Sequence, residues 1–367
     1  MNRQPLILAP LNDINAILMR CALDMLGVAC WHSASAWHGD LAAGSVKIDS
    51  AAALDASGGL ASTAISAVWN RRRRPLAQLP GCHPADAEFL RGEWQLFHEN
   101  VFALQAELSP CLWVNPPVAA RDTENKLLQL KQARALGLSI PPTLVSNDPQ
   151  AIHRFIRQHD RVVYKAFMPH TWKDSSSGRL YNVSVPVLDP ATVVDDEALR
   201  LCPGIFQKYI EKRADLRVIV IGAQIFAVRI QRDDGEAFID WRPRTGMSDC
   251  IAKACALPAA MIDRLQALMH ALGIVYGAID LVEDHAGALH FLEVNQTGQF
   301  LFVEGWAPEL PLLGAFACML AQGRVDYSLQ VARPIKVADC YRHDYYLEWA
   351  EQQGSAQGIE HWLVTAE

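Results

Sequence analysis

Apolar and polar positions alternate between two periods along the chain, and each change of period marks an element. Pro5-Leu6-Ile7-Leu8-Ala9 is a short apolar run that fits a buried strand. Ile14, Ile17, Leu18, Cys21 and Leu26 then recur at helical spacing, and Gly27 is a natural helix stop. Residues 28–31 restart a strand, which makes a βαβ opening and implies a parallel sheet. A strand at 64–69, a helix at 88–108 and a strand at 111–114 follow, closed by Asn115-Pro116-Pro117. The double proline stops both a helix and a central strand, so it predicts a first domain boundary.

Beyond it, 122–126 reads as a capped helix start, with Leu127, Leu130 and Ala133 along one face and Gly137 ending it. Asp148-Pro149 opens a second helix carrying Ile152, Phe155 and Ile156, and 162–167 is a strand. Residues 173–179 are a polar, Ser- and Gly-rich loop between strands. The rest is richer in hairpins: 216–221 with 225–230, then 275–283 with 289–294. Between them lies a helix that starts at Pro258, carries Met261, Leu265, Leu268 and Leu272, and ends at Gly273. No internal repeat is present. The pattern predicts an α/β chain in four parts: 1–118, 119–204, 205–330, and an extension of unknown role at 331–367.

Composition narrows the class. At about 100–200 residues per domain, 367 residues imply two or three domains. With 51% hydrophobic residues, a fully disordered chain is excluded. No apolar run reaches a membrane-spanning length, and Met-Asn-Arg-Gln-Pro lacks a signal-peptide pattern, so the expected setting is cytoplasmic. The net charge of −7 argues against a general nucleic-acid binder. The nine cysteines contain no CxxC, so free structural thiols are expected, with Cys21, Cys111 and Cys318 as small buried hydrophobes. His285 and His290 flank a turn and read as surface residues. Arg71–Arg74 read as a solvated strand end, with contact to an acidic peptide as the sharper alternative.

Chemistry concentrates in the last hairpin, Gly277-Ala278-Ile279-Asp280-Leu281 and Phe291-Leu292-Glu293-Val294-Asn295. With its loop at 284–287, Glu283 pairs with Ala288 and Asp280 faces Phe291. Glu293 is then the diagonal neighbour of Asp280 on the same face, roughly 7–8 Å away. Asn295 continues that face, because strand side chains alternate. Two carboxylates and an amide oxygen on otherwise apolar strands are costly to bury without a cation. From periodicity alone, two solvent-facing acids on an edge hairpin fit equally well.

The run from Ala288 to Phe300 resembles the signature of the ATP-grasp ligases, within them most nearly the maturases that macrocyclise microviridin-type ribosomal peptides (graspetides). The ligase that adds glutamate to a ribosomal protein is a more distant likeness. Val68-Trp69-Asn70-Arg71-Arg72, Trp113-Val114-Asn115-Pro116, Glu124–Leu130, Ile140-Pro141-Pro142-Thr143 and Thr297–Glu304 extend the resemblance over about residues 5–325. It implies an ATP-grasp fold behind an N-terminal parallel-sheet domain. It also implies an ATP- and Mg²⁺-dependent ligase that works through an acylphosphate and forms side-chain esters or amides in a precursor peptide with a leader segment. The alternatives are a ligase adding free amino acids to a protein or small acid, and a non-catalytic ATP sensor. No nucleic-acid or membrane partner is implied, and a homodimer is left open.

By the same resemblance, Lys126 and Lys165 contact ATP, and the backbone of the hinge Gln207, Lys208, Tyr209, Ile210 reads adenine. Asp215 and Arg217 form the Asp-x-Arg motif, Arg242 stands near the transferred phosphate, and Asp280, Glu293 and Asn295 hold the metal. Lys165, Arg217 and Arg242 are the residues expected to act on the phosphates. Two features depart from the family pattern: the phosphate-covering loop has a single glycine, Gly178, and Lys208 stands where the more distant relative has an acid.

Overall fold

The computed structural model describes residues 3–33, 45–47, 55–57, 64–71, 81–167, 171–174, 176–182, 185–192, 194–235, 238–241, 250–329 and 335–352. Three sheets organise them. The N-terminal sheet is parallel, in the order Trp31–Ser33, Gln4–Leu8, Ile65–Asn70, Leu112–Val114. Parallel strands need helices on both faces. Here the helix Ile14–Met25 packs Ile17, Leu18 and Leu23 against Ile7 and Trp69, while the helix Ala87–Leu108 places Phe102 against Leu6, Leu8 and Trp113 on the other side. The first helix starts where Asp13 caps the Ala16 N–H at 3.1 Å.

Arg71, expected at a solvated strand end, is instead buried. Its guanidinium donates to both carboxylate oxygens of Asp13, at 2.9 and 3.0 Å. The sequence reading failed because the helix-capping acid that neutralises Arg71 lies 58 residues away. Arg72–Arg74 lie outside the described residues.

The last strand of the N-terminal sheet ends at Val114, before the double proline as expected, and the second proline also opens a helix. Pro117 occupies the first turn of a helix, Pro117–Thr123, where its missing N–H costs nothing. A second helix, Lys126–Ala135, starts at once behind Asn125, which accepts from the Leu127 and Leu128 amides. Asn115 itself is buried. Its amide donates to the carbonyls of Tyr276 and Gln296, and its carbonyl accepts from the Val275 and Tyr276 amides. The end of the N-terminal sheet is thereby fixed to the start of a C-terminal strand.

The central sheet is antiparallel, in the order Val187–Leu188, Val162–Lys165, Gly204–Lys208, Thr143–Ser146. The helix Pro149–His159 covers it through Ile152 and Ile156, which meet Val162 and Phe206. The Ser-rich loop stands at the tip of a small hairpin, Thr171–Lys173 with Leu180–Asn182.

The C-terminal sheet has five antiparallel strands: Cys250–Ala254, Gln224–Arg232, Lys212–Ile221, Tyr276–Asp284 and Leu289–Asn295. One face, with Leu216, Val218, Ile279 and Phe291, packs on Leu130 of the 126–135 helix and on Leu265 and Leu268 of the helix Ala259–Ala271. The other face, with Ile219, Ile221, Val228 and Ala278, joins the core of the N-terminal sheet. The helix Leu312–Gln322 sits between them, buried at nine of its eleven positions, so it reads as apolar on all sides.

The segment 335–352, within the extension that the sequence left without a role, belongs to that same core. Val337, Cys340, Tyr346 and Ala350 pack with the 14–25 helix residues. All nine cysteines are free; Cys21 and Cys318 are buried as expected, but Cys111 is half-buried. His290 is also half-buried rather than a surface residue, held between Asp284 and Ser139 at 2.9 Å each.

Candidate active site

The register of the last hairpin differs from the expected one, and the difference builds the site. Glu283 pairs with Leu289, not Ala288, a slip of one residue that would by itself turn Glu293 away from Asp280. A β-bulge restores the parity. Leu281 pairs with Phe291 but Asp280 pairs with Glu293, so Leu292 is the extra residue. The two carboxylates therefore stand directly opposite, and Ala278 pairs with Asn295 one step further along. Nothing in the alternation of apolar residues announced the bulge.

Across the neighbouring strand, Arg217 pairs with Asp280 and donates to its carboxylate at 2.8 Å. It also donates to the Gln299 carbonyl at 3.3 Å. Both side chains are nearly fully buried, and the Arg217 Nε has no partner among the described residues. A buried, unsatisfied guanidinium N–H is expensive unless an anion or its water reaches it. Lys126, the first residue of its helix, reaches around the sheet edge to Glu293 at 2.7 Å, with both side chains half-buried. Asn295 is exposed, and its side-chain oxygen accepts from the Thr297 N–H at 3.0 Å, turning the chain sharply out of the sheet.

Gly298 follows, a position that the apolar and polar spacing does not single out. A Cβ there would lie 2.6 Å from the Ala278 Cβ and 3.0 Å from Arg217 Nη2. The position is closed to any side chain, and the Gly298 carbonyl accepts from the Tyr276 hydroxyl. Burial pushes the Tyr276 phenol well above its usual range, so it stays a donor.

The other expected residues form a second group on the central sheet. Lys165 donates to the Gln207 side-chain oxygen at 2.8 Å, and Gln207, itself buried, donates to Thr143 Oγ1 at 3.0 Å. Lys208 ends that strand and is exposed; Tyr209 and Ile210 lead into the C-terminal sheet. Two hinge amides are already used: Lys208 N–H donates to the Pro142 carbonyl and Tyr209 N–H to that of Arg161. Burial pushes the Tyr209 phenol up, and the Arg161 guanidinium lies 4.3 Å over its ring. Asp215 is held by Lys212 at 2.7 and 2.8 Å, an ion pair buried on both sides that the sequence reading missed. Arg242 lies outside the described residues.

No three His, Cys, Asp or Glu side chains cluster among the described residues in a way that could hold a metal. The donor set at the hairpin is two carboxylates and an amide. That is too few for a closed protein cage, and it fits Mg²⁺, which is typically bound by one or two carboxylates together with phosphate oxygens and water.

No family model and no curated protein matches the chain. Solved structures do. The chain is similar to the macrocyclase MdnC of Microcystis aeruginosa, bound with precursor peptide MdnA, with 25% identity, a TM-score of 0.67, and coverage of 86% of this chain and 98% of that one. It is similar to a RiPP-associated ATP-grasp ligase of Chryseobacterium gregarium, in complex with ADP and a leader and core peptide, with 23% identity, a TM-score of 0.72, and coverage of 87% and 96%. The ATP-grasp ligase PsnB, complexed with a phosphomimetic minimal precursor, Mg and ADP, has 20% identity, a TM-score of 0.66, and coverage of 87% and 98%. The chain therefore has the ATP-grasp fold of those ligases and is similar to the MdnC macrocyclase along most of its length.

Proposed function

We propose that the protein is an ATP-dependent ligase that cross-links side chains of a ribosomally made precursor peptide. The observation that carries this is the directly opposed Asp280–Glu293 pair with buried Arg217 beside it, each flanked along its strand by apolar residues. The likeness to a macrocyclase and to ligases bound with precursor peptides supports the substrate class.

In the reaction, a substrate Asp or Glu carboxylate oxygen attacks the γ-phosphorus of ATP. The bond from that phosphorus to the bridging oxygen breaks, giving an acylphosphate and ADP. A Ser or Thr hydroxyl, or a Lys amine, then attacks the acyl carbon; phosphate leaves with the electron pair, and the attacking group loses its proton. An ester or amide results, with net loss of water from the peptide. Mg²⁺ held by Asp280, Glu293 and Asn295 would neutralise phosphate charge.

The protein's part is positioning. Arg217 presents its unpartnered Nε–H, and Lys126 is free to turn from Glu293 to phosphate oxygens. Lys165 offers a second ammonium from the central sheet, fixed by Gln207. Since the Lys208 and Tyr209 amides are engaged, adenine reading by the hinge falls to the Ile210 amide and the hinge carbonyls. Asp215 acts through Lys212 rather than on ATP directly. Arg242 keeps the phosphate role implied by the resemblance. A cytoplasmic setting agrees with the ATP requirement and with nine free thiols.

The test is incubation of the purified protein with ATP, Mg²⁺ and leader-bearing candidate peptides whose cores are rich in Ser or Thr and Asp or Glu, read by mass. Loss of one water per ring, with matching ADP release, is the expected result. Addition of amino-acid residues would replace this reading by free amino-acid ligation, and ATP binding without ADP release by a sensor. Glu293→Gln should leave the fold intact and lower turnover by at least about 100-fold, the scale of losing one charge-stabilising group; full activity in that variant would sink the metal assignment.

A further inference from the structure

The 289–295 strand is the outer edge of its sheet. An edge strand leaves every second residue with its N–H and C=O pointing away from the ladder, and buried groups of that kind need partners. At Val294 the partner is one side chain. Gln129 Oε1 accepts from the Val294 N–H at 2.9 Å, and Gln129 Nε2 donates to the Val294 carbonyl at 2.9 Å. The same Nε2 donates to the Thr123 carbonyl at 2.6 Å, which anchors the amide in the preceding helix turn. Gln129 is 3% exposed, so none of these bonds is shared with solvent. Its carboxamide makes the two bonds that a further strand would make.

The location gives this arrangement its consequence. Val294 points into the apolar core, while its neighbours Glu293 and Asn295 point to the opposite face. Peptide units are planar, so fixing both polar groups of Val294 fixes the two peptide planes that aim Glu293 and Asn295. The anchor sits between the bulge at Leu292 and the sharp turn at Thr297, where the strand has no regular ladder on its outer side. Helical spacing makes the second link: Lys126 and Gln129 are three residues apart on one helix face, one meeting Glu293 and the other Val294.

We propose that Gln129 is a positioning residue for the metal-binding pair, holding Glu293 and Asn295 through the Val294 backbone without touching the ligand. The proposal rests on the metal assignment made above. Groups that orient metal ligands from behind typically cost roughly 10–100-fold in affinity when removed.

The experiment measures Mn²⁺ binding in the presence of ADP by electron paramagnetic resonance, and amide hydrogen exchange over residues 289–297. It compares the unsubstituted protein with Gln129→Met, Gln129→Asn and Leu130→Ala. Gln129→Met keeps the volume and removes all three bonds; Mn²⁺ affinity should fall roughly 10–100-fold and the Val294 amide should exchange faster. Gln129→Asn keeps the carboxamide but is one methylene too short to span both Val294 groups, so it should fall in between; it carries the test if the Met variant does not fold. Leu130→Ala, a neighbouring core truncation, should lower the melting temperature while leaving Mn²⁺ affinity unchanged. A folded Gln129 variant with native Mn²⁺ affinity or native Val294 exchange would overturn the positioning role, as would an equal loss of affinity in Leu130→Ala. Failure of the unsubstituted protein to bind Mn²⁺ with ADP would instead overturn the metal assignment, with exchange at Val294 still reporting on the anchor.

Discussion

At Gly298 a missing side chain sets the shape of the site. The space a Cβ would need is taken by Ala278 and by the Arg217 guanidinium, at 2.6 and 3.0 Å. Gly298→Ala should therefore cost about 1–3 kcal/mol of stability as overpacking. It should also displace Arg217 from Asp280 and lower ATP-dependent turnover more than thermal stability predicts. A variant that matches the native protein in both melting temperature and turnover would remove the steric argument. Residue types were legible in the sequence here, but partners were not. Asp280, Glu293 and Asn295 were found by their polarity on apolar strands. The buried Arg217–Asp280 and Arg71–Asp13 pairs join residues 63 and 58 positions apart, beyond the reach of local spacing.

Among the elements, Glu304 is the clearest case of a charge used to join two helices. It is buried, and its two oxygens accept from the Leu313 and Val337 amides, at 2.8 Å each. One carboxylate thereby satisfies N-terminal N–H groups of the Leu312–Gln322 helix and of the short helix Val337–Cys340. Burial raises the Glu304 carboxyl above its ordinary range, only partly opposed by these two bonds. The folded chain thus binds a proton at pH values where the unfolded chain has released it, so stability falls as pH rises through that window. Glu304→Gln should flatten this slope. It should also cost about 1–3 kcal/mol, because the amide nitrogen faces a backbone N–H in place of an acceptor. Denaturant midpoints measured across the acidic range test both, and an unchanged slope would exclude Glu304 as its source. Most elements were legible from periodicity, since each buries one stripe or one face. The 117–123 helix was not, because a proline pair reads as a stop although its second member can also start a helix.

For the whole molecule, the decisive feature is the core shared between distant segments. Residues of the N-terminal sheet, the C-terminal sheet and the 335–352 segment pack in one cluster. Asn115 adds a polar joint, pairing with both backbone groups of Tyr276. Asn115→Ala should leave those groups and the Gln296 carbonyl short of partners, at about 1–3 kcal/mol for each buried group left unpaired. Thermal unfolding should then lose cooperativity, with the N-terminal sheet melting ahead of the C-terminal one. A single unshifted transition in calorimetry would show that the apolar core alone couples them.

Fold class, most of the strands and helices, and the acidic and amide residues of the candidate site are legible in the sequence. Those features follow from local rules of period, capping and polarity. Tertiary structure alone decided the bulge that sets the two carboxylates face to face, the cations that pair with them, and the buried amides that anchor their strands. Each of these depends on which backbone edge or charge a distant segment brings close, and that is fixed only when the sheets pack.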